Sequence, residues 1–273
     1  MLAEEIKVSK TRINISKDTE TVDTGYLVQF TAYADGDTFD VEGSSYEVVS
    51  DLSEDETLHA EQIAYISDYI YQSLHALKDG DRDRAEELIN LDSLVDCYLL
   101  EEIAMNIDAN WDSFYLYKDA GGKLVFGPMW DFDLAFGNDC RISEDADTSH
   151  EGFYVGRAMG SNNGWEGIWY VAALENQWFR EMVLQAWNEN YDTFTSLGDR
   201  VRELALTGQD ACDRNFERWQ ILGNMINMEP SYIQAFTSFS EHAQYLATWL
   251  DRRVAWLNEY YNDASFVETY SLW

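Results

Sequence analysis

The spacing of apolar residues changes near residue 55 of this 273-residue chain, and that change limits the folds open to it. Residues 1–50 carry β-type runs such as Gly25-Tyr-Leu-Val-Gln-Phe-Thr-Ala-Tyr33, broken by Asp35-Gly36-Asp37 and Glu42-Gly43-Ser44. Alternation between such turn signals predicts a small sheet. From about residue 55 the period lengthens, with Ile63, Ile66, Ile70, Leu74 and Leu77 on one stripe. That stripe predicts a helix ending at Asp79-Gly80-Asp81. A second helix is expected through Leu91, Leu94, Val95, Tyr98, Leu99 and Ile103. The pattern then stops at the polar run 106–112, and Asp119-Ala-Gly-Gly122 between two apolar strands predicts a β-hairpin.

The fold class that follows is α+β, with a small N-terminal β-sheet region and a central β-hairpin on a mostly α-helical body. Residues 138–168 read as a long acidic loop, and residues 169–260 as a helical pack. In that pack Trp178, Phe179, Met182, Val183, Ala186 and Trp187 form one stripe. Phe216, Trp219, Leu222, Met225 and Ile226 form another, and a last helix opens near Pro230-Ser231. With only two prolines the chain reads as one continuous domain, its catalytic core expected within residues 55–137.

Charge narrows the functional classes. Against 18 Lys and Arg stand 51 Asp and Glu, a formal charge of −33. Such a chain repels phosphate backbones and anionic lipid, so no nucleic-acid partner and no membrane partner is expected. Basic proteins and metal ions are the better partners. The 10 Trp, 17 Tyr and 13 Phe argue for a large core and against an acidic disordered tail. Cys97, Cys140 and Cys212 form no CxxC pair, which speaks against a disulfide framework or a cysteine zinc site. His59, His75, His150 and His242 fall at no metal-ligand spacing. No signal peptide and no membrane-length apolar run is visible.

The chemistry is expected between residues 106 and 139. Asp131 and Asp133 alternate with Trp130, Phe132 and Leu134, so an extended segment would put both carboxylates on one face. Two carboxylates on one face suit Mg²⁺, which takes one or two protein carboxylates with water and substrate phosphates. Read from the residues alone, a pair that caps a helix or holds loop N–H groups is the stronger alternative. The order of parts, a loop with Asp108 and nearby Asn, a hairpin, then an apolar segment opening with a metal-type Asp, resembles the catalytic half of protein kinases.

The stretches Leu94-Val-Asp96 through Asn106-Ile-Asp108, Phe114-Tyr-Leu-Tyr-Lys118 and Gly127-Pro-Met-Trp-Asp-Phe-Asp-Leu-Ala-Phe-Gly-Asn138 together resemble the CotH family of spore-coat-type atypical protein kinases. Gly-Pro-x-Trp-Asp-x-Asp is the most specific of these. The likeness extends to Gly25-Tyr-Leu, Glu61-Gln-Ile, Arg218-Trp219 and Trp249-Leu-Asp-Arg-Arg-Val-Ala-Trp-Leu257, covering roughly residues 25–260. It implies a protein-kinase-like C-lobe, ATP with Mg²⁺ or Mn²⁺ as cofactors, and Ser/Thr phosphorylation of a basic, serine-rich protein. It also implies a spore-coat or extracellular setting. Carried over, Asp108 is the catalytic residue and Asp131 the metal ligand. Asp133 as second ligand and Asn106 as loop organiser are added on chemical grounds.

Relative to that family the chain is expected to be truncated at its N-terminus and to lack most of the nucleotide-binding lobe. No Gly-rich phosphate loop is visible, since Gly160-Ser-Asn-Asn-Gly164 follows no strand. Lys7, Lys10 and Lys17 are available as phosphate-binding cations, with none assigned. The alternative is a non-catalytic, degenerate kinase-like module that binds a protein or glycan partner. Asp108 with Asp131 could also serve a glycoside hydrolase, a weaker idea.

Overall fold

The computed structural model describes residues 5–110, 112–155, 168–224 and 228–269. Gly160–Gly164, most of the later half of the expected acidic loop, Trp111, Met225 and Ile226 lie outside the described residues. The fold is α+β, with one antiparallel sheet and a helical remainder. The chain divides into two compact units.

The first unit comprises residues 1–98, 108–131 and 156–179. It holds β1 (Tyr26–Phe30), β2 (Thr38–Val41), β3 (Ser44–Val48), β4 (Phe114–Lys118) and β5 (Leu124–Phe126). The expected sheet and the expected hairpin are one sheet, in the order β2-β3-β1-β4-β5. Register explains the merger: Val28 pairs with Val48 on one side and Leu116 on the other, and Leu116 pairs with Phe126. Directly opposed residues share a face, so these four make an apolar row across the sheet.

That face packs against α1 (Glu56–Lys78) and α4 (Ile168–Leu174), with ring contacts between Tyr26 and Tyr65, Phe126 and Trp169, and Phe114 and Tyr170. The helix α1 starts where expected because the Asp55 carboxylate accepts from the N–H groups of Thr57 and Leu58. Its stripe of Ile66, Ile70, Leu74 and Leu77 is fully buried, worth about 2 kcal/mol per side chain. Between it and α3 (Leu91–Ala104) the chain makes a further short helix, α2 (Arg82–Leu88), which apolar spacing did not reveal. Asp81 caps it through the Arg84 N–H.

Lys118 lies on the buried face although it carries a charge. Its ammonium reaches Asp23 at 2.6 Å and the Asp119 carbonyl at 3.0 Å, beneath the rings of Tyr65 and Tyr69. Burial raises the Asp23 pKa, but Lys118, the Gly121 N–H and Tyr65 together hold it below the usual carboxylate value. A fully enclosed lysine needs that set of partners.

The opposite face carries Leu27, Gln29, Tyr115 and Tyr117, and residues 6–15 run over it. Ile13, Ile15 and Leu27 are buried together there, with Ile6 and Val8 packed beside them. Gly25 permits the crossing: a Cβ there would stand 2.2 Å from the Ser16 carbonyl oxygen and 2.8 Å from its nitrogen. The Ser16 N–H is tied to the Asp119 carboxylate at 2.7 Å.

The second unit comprises residues 99–107, 132–155 and 180–273. It is built from α5 (Gln177–Thr195), α6 (Leu197–Arg218), α7 (Phe239–Tyr261) and α8 (Ala264–Glu268). Trp187 packs on Tyr261 and donates to Asn258. The expected stripe through Trp219 fails. The helix α6 ends at Arg218, whose guanidinium lies over an exposed Trp219 ring, and Leu222-Gly223-Asn224 turns the chain instead. The last helix opens at Phe239 rather than near Pro230, because Ser238 and Glu241 form a capping box. No described helix is long and apolar enough to cross a membrane.

Candidate functional site

Backbone conformation singles out one stretch of chain. Among the described residues, non-glycine positive φ occurs at Glu42, Met105, Ser113, Asp131, Phe136 and Met228. Three of the six, Ser113, Asp131 and Phe136, fall within 106–139, the segment expected to carry the chemistry, and Met105 lies one residue before it. Each costs about 1–2 kcal/mol for an L-residue, and such positions gather where surrounding structure holds a site in place.

In the first unit, Asp108 sits in the 3₁₀ turn Ile107–Asn110, and its carbonyl accepts the Asp112 N–H at 3.0 Å. Ser113 follows with φ 58, and its hydroxyl donates to the Asp131 carboxylate at 3.3 Å. Asp131 itself has φ 63. The left-handed backbone of Asp131 and the turn at 133–134 correct the expectation of an extended segment. Exposure still alternates, with Asp131 and Asp133 exposed and Phe132 and Leu134 half-buried. Turn geometry, not strand pleat, produces that pattern.

Behind Asp131, the Tyr115 hydroxyl donates to Gln29 at 3.1 Å and Gln29 donates to Asp112 at 3.4 Å. Burial, then the charges of Asp112, Asp131 and Glu47, push the Tyr115 hydroxyl pKa up. The Tyr115 phenol therefore stays neutral and serves as a donor. Gly127 has φ 108, open only to glycine, and donates to the Tyr115 carbonyl at 2.8 Å. This fixes where Pro128, Met129 and Trp130 lead the chain into Asp131. The same four residues form one wall of a cavity of about 800 Å³, whose other walls include Tyr117, residues 5–7 and residues 11–14.

In the second unit, α3 ends through Met105, with φ 48, and the buried Asn106 gives its N–H to the Glu101 carbonyl at 3.2 Å. The Asp133 carbonyl accepts from the Asn138 side chain at 2.8 Å. A network that sequence patterning missed holds this region. The fully buried Arg253 donates to the Glu102 carbonyl and carboxylate at 2.7 and 2.8 Å, and to the carbonyls of His150 and Gly152 at 2.9 and 2.7 Å. The Glu102 carboxylate also accepts the N–H groups of Tyr154 and Val155. Five donors on one planar group make this possible.

Ser113, Gln29 and Tyr115 were not singled out by spacing, and Asp112 read as a turn residue. Their signal is tertiary, since β1 and β4 meet across more than 80 residues of chain. Among the described residues no group of three or more His, Cys, Asp or Glu could enclose a metal ion. Mg²⁺ keeps its waters and needs only one or two carboxylates plus ligand phosphates. Asp131 is an exposed carboxylate.

A comparison with curated proteins found no match. The family described as CotH kinase protein matches residues 1–257, a span that includes the segment before Gly25, the Asn106-Ile-Asp108 turn and the Gly127–Asn138 stretch. The chain therefore belongs to the CotH kinase family, and the match covers most of its 273 residues.

Proposed function

We propose that this kinase-like chain transfers the γ-phosphate of ATP to serine or threonine hydroxyls of a basic protein. The observation that carries the reading is the pairing of two left-handed residues, Ser113 and Asp131, in the unit that also holds the Asp108 turn. Asp108 accepts the proton of the acceptor hydroxyl as its oxygen bonds to the γ-phosphorus. The bond from that phosphorus to the β–γ bridging oxygen breaks, and its electron pair leaves with ADP. Asp131 would hold Mg²⁺. When bound, Mg²⁺ supplies positive charge to the phosphates. Asn106 orders the turn that precedes Asp108.

The charge of −33 favours a basic acceptor by steering, an effect that weakens as salt rises. The test is transfer of labelled phosphate from ATP to two serine peptides, one lysine- and arginine-rich and one acidic. The basic peptide is the expected substrate, and its rate should fall steeply with added salt. Equal labelling of both peptides, insensitive to salt, contradicts the acceptor assignment. Nucleotide binding with no transfer to any hydroxyl would instead place the chain among non-catalytic binding modules.

A further inference from the structure

We infer that Thr11 is a phosphorylation site, modified by a second copy of this chain. The inference rests on the phosphotransfer reading and names one acceptor for it.

Three observations carry it. The first is local composition. In a chain of net −33, residues 6–17 hold Lys7, Lys10, Arg12 and Lys17 and no carboxylate. These are four of the chain's 18 cations, interleaved with the hydroxyls of Ser9, Thr11 and Ser16. The chain thus carries its own basic segment with hydroxyls, the acceptor chemistry that its acidic remainder attracts.

The second is presentation. The Ser9 N–H donates to the Ile13 carbonyl at 2.9 Å and the Arg12 N–H to the Ser9 carbonyl at 3.2 Å, closing a turn with Lys10 and Thr11 at its tip. Both tip residues are exposed, and Thr11 borders the 800 Å³ cavity. The other two hydroxyls are not offered in this way. The Ser9 Oγ is buried, and Ser16 is half-buried with its Oγ accepting the Asp18 N–H at 3.2 Å.

The third is that the turn is held. Ile13 and Ile15 are buried with Leu27, and the Ser16 N–H is tied to the Asp119 carboxylate at 2.7 Å. A fixed tip needs little further ordering when it docks. A transfer site must enclose the acceptor hydroxyl, and Thr11 stands exposed on its own chain, so the enclosing site belongs to another copy. That site is acidic. Asp131 is exposed, and Asp112, Asp131 and Glu47 all act on the Tyr115 hydroxyl of the same unit.

In the transfer, the Thr11 Oγ1 bonds to the γ-phosphorus of a nucleoside triphosphate held by the second copy, and its proton passes to that copy's Asp108. The bond from the phosphorus to the bridging oxygen breaks, and its electron pair leaves with the nucleoside diphosphate. The new phosphate brings a charge of about −1.5 to −2. It offsets much of the segment's positive charge, so the modified tip is released from the acidic site.

The experiment uses Asp108→Asn as the acceptor chain, with Asp131→Ala as a second inactive acceptor. Each is mixed with a small amount of parent chain, labelled ATP and Mg²⁺, and the label is placed by peptide mass spectrometry. A basic serine peptide is run in parallel. Two further acceptors add Thr11→Val or Lys10→Glu to Asp108→Asn, and all are checked for an unchanged melting temperature. Label is expected on Thr11 of both inactive acceptors, is lost with Thr11→Val, and appears about tenfold more slowly with Lys10→Glu. A labelled peptide with no label on Thr11 of either inactive acceptor overturns this inference alone. Full labelling that persists in the Thr11→Val acceptor also overturns it. No transfer to peptide or chain sinks the kinase reading, and this inference with it.

Discussion

The hydroxyl of Ser113 lies 3.3 Å from the carboxylate of Asp131, and both residues have left-handed backbones, with φ of 58 and 63. Neither is a glycine, so the chain holds two strained positions next to each other across 18 residues of sequence. Aspartate tolerates this conformation better than serine does.

Strain and contact at Ser113 can be separated by two substitutions. Ser113→Gly removes both the hydroxyl and the left-handed cost, and should leave the protein as stable or more stable by about 0.5–1 kcal/mol. Ser113→Ala removes the hydroxyl and keeps the strain, so it should not stabilise. Both should lower phosphate transfer by loosening Asp131. Denaturant unfolding beside an activity assay checks this, and a destabilised Ser113→Gly would show that the hydroxyl outweighs the backbone term.

The Arg253 network should behave as a unit. Arg253→Ala leaves the buried Glu102 carboxylate without its cation, and a cost of about 3–5 kcal/mol is expected. Arg253→Lys should not restore stability, because one ammonium cannot reach the carbonyls of Glu102, His150 and Gly152 together. Chemical denaturation measures both. Near-wild-type stability of the lysine variant would mean that charge alone holds the network.

Gly25→Ala should destabilise by about 1–3 kcal/mol, the usual cost of forced overpacking. The methyl would meet the backbone of Ser16, and backbone cannot move aside cheaply. Faster proteolysis within residues 5–16 of the variant is the expected signature. Unaltered stability and cleavage would mean that the N-terminal segment does not cross β1 as described.

His59 gives a pH dependence of defined sign. Its Nδ1 faces the Ser53 carbonyl at 3.1 Å and its Nε2 the Asp37 carboxylate at 2.8 Å. Both partners are acceptors, so only the doubly protonated ring satisfies both. The Ser53 carbonyl first, and Asp37 next, raise its pKa above the ordinary 6.5. The stabilisation is then complete below the unfolded pKa and is lost as pH rises through the higher folded value. The stability gap between the parent chain and His59→Gln should therefore be larger at about pH 5.5 than at about pH 8.5. A gap that is constant, or widens with pH, contradicts the assignment.

Much of this architecture was legible because it is local. The α1 stripe of Ile66, Ile70, Leu74 and Leu77 lies at helical spacing and is bounded by Asp55 and Asp79-Gly80, so pattern and punctuation agree. The hairpin was legible for the same reason. The joining of β4 to β1 was not, since no short-range pattern encodes pairing over more than 80 residues. Apolar spacing misled around Trp219 and Pro230, where the helix ends depend on a turn and on the Ser238–Glu241 capping box. Asp108 and Asp131 could be named from motif alone. Ser113 and Tyr115 could not, because each meets its partner only once the sheet and the loops beside it are built.

The most direct measurement of the central claim is labelled phosphate transfer from ATP to a basic serine peptide by the parent chain, Asp108→Asn and Asp131→Ala, with ATP binding measured on the same samples. The account predicts transfer by the parent chain alone, metal-dependent ATP binding retained by Asp108→Asn, and that binding lost in Asp131→Ala. Transfer that persists in Asp108→Asn at the parent rate would contradict it.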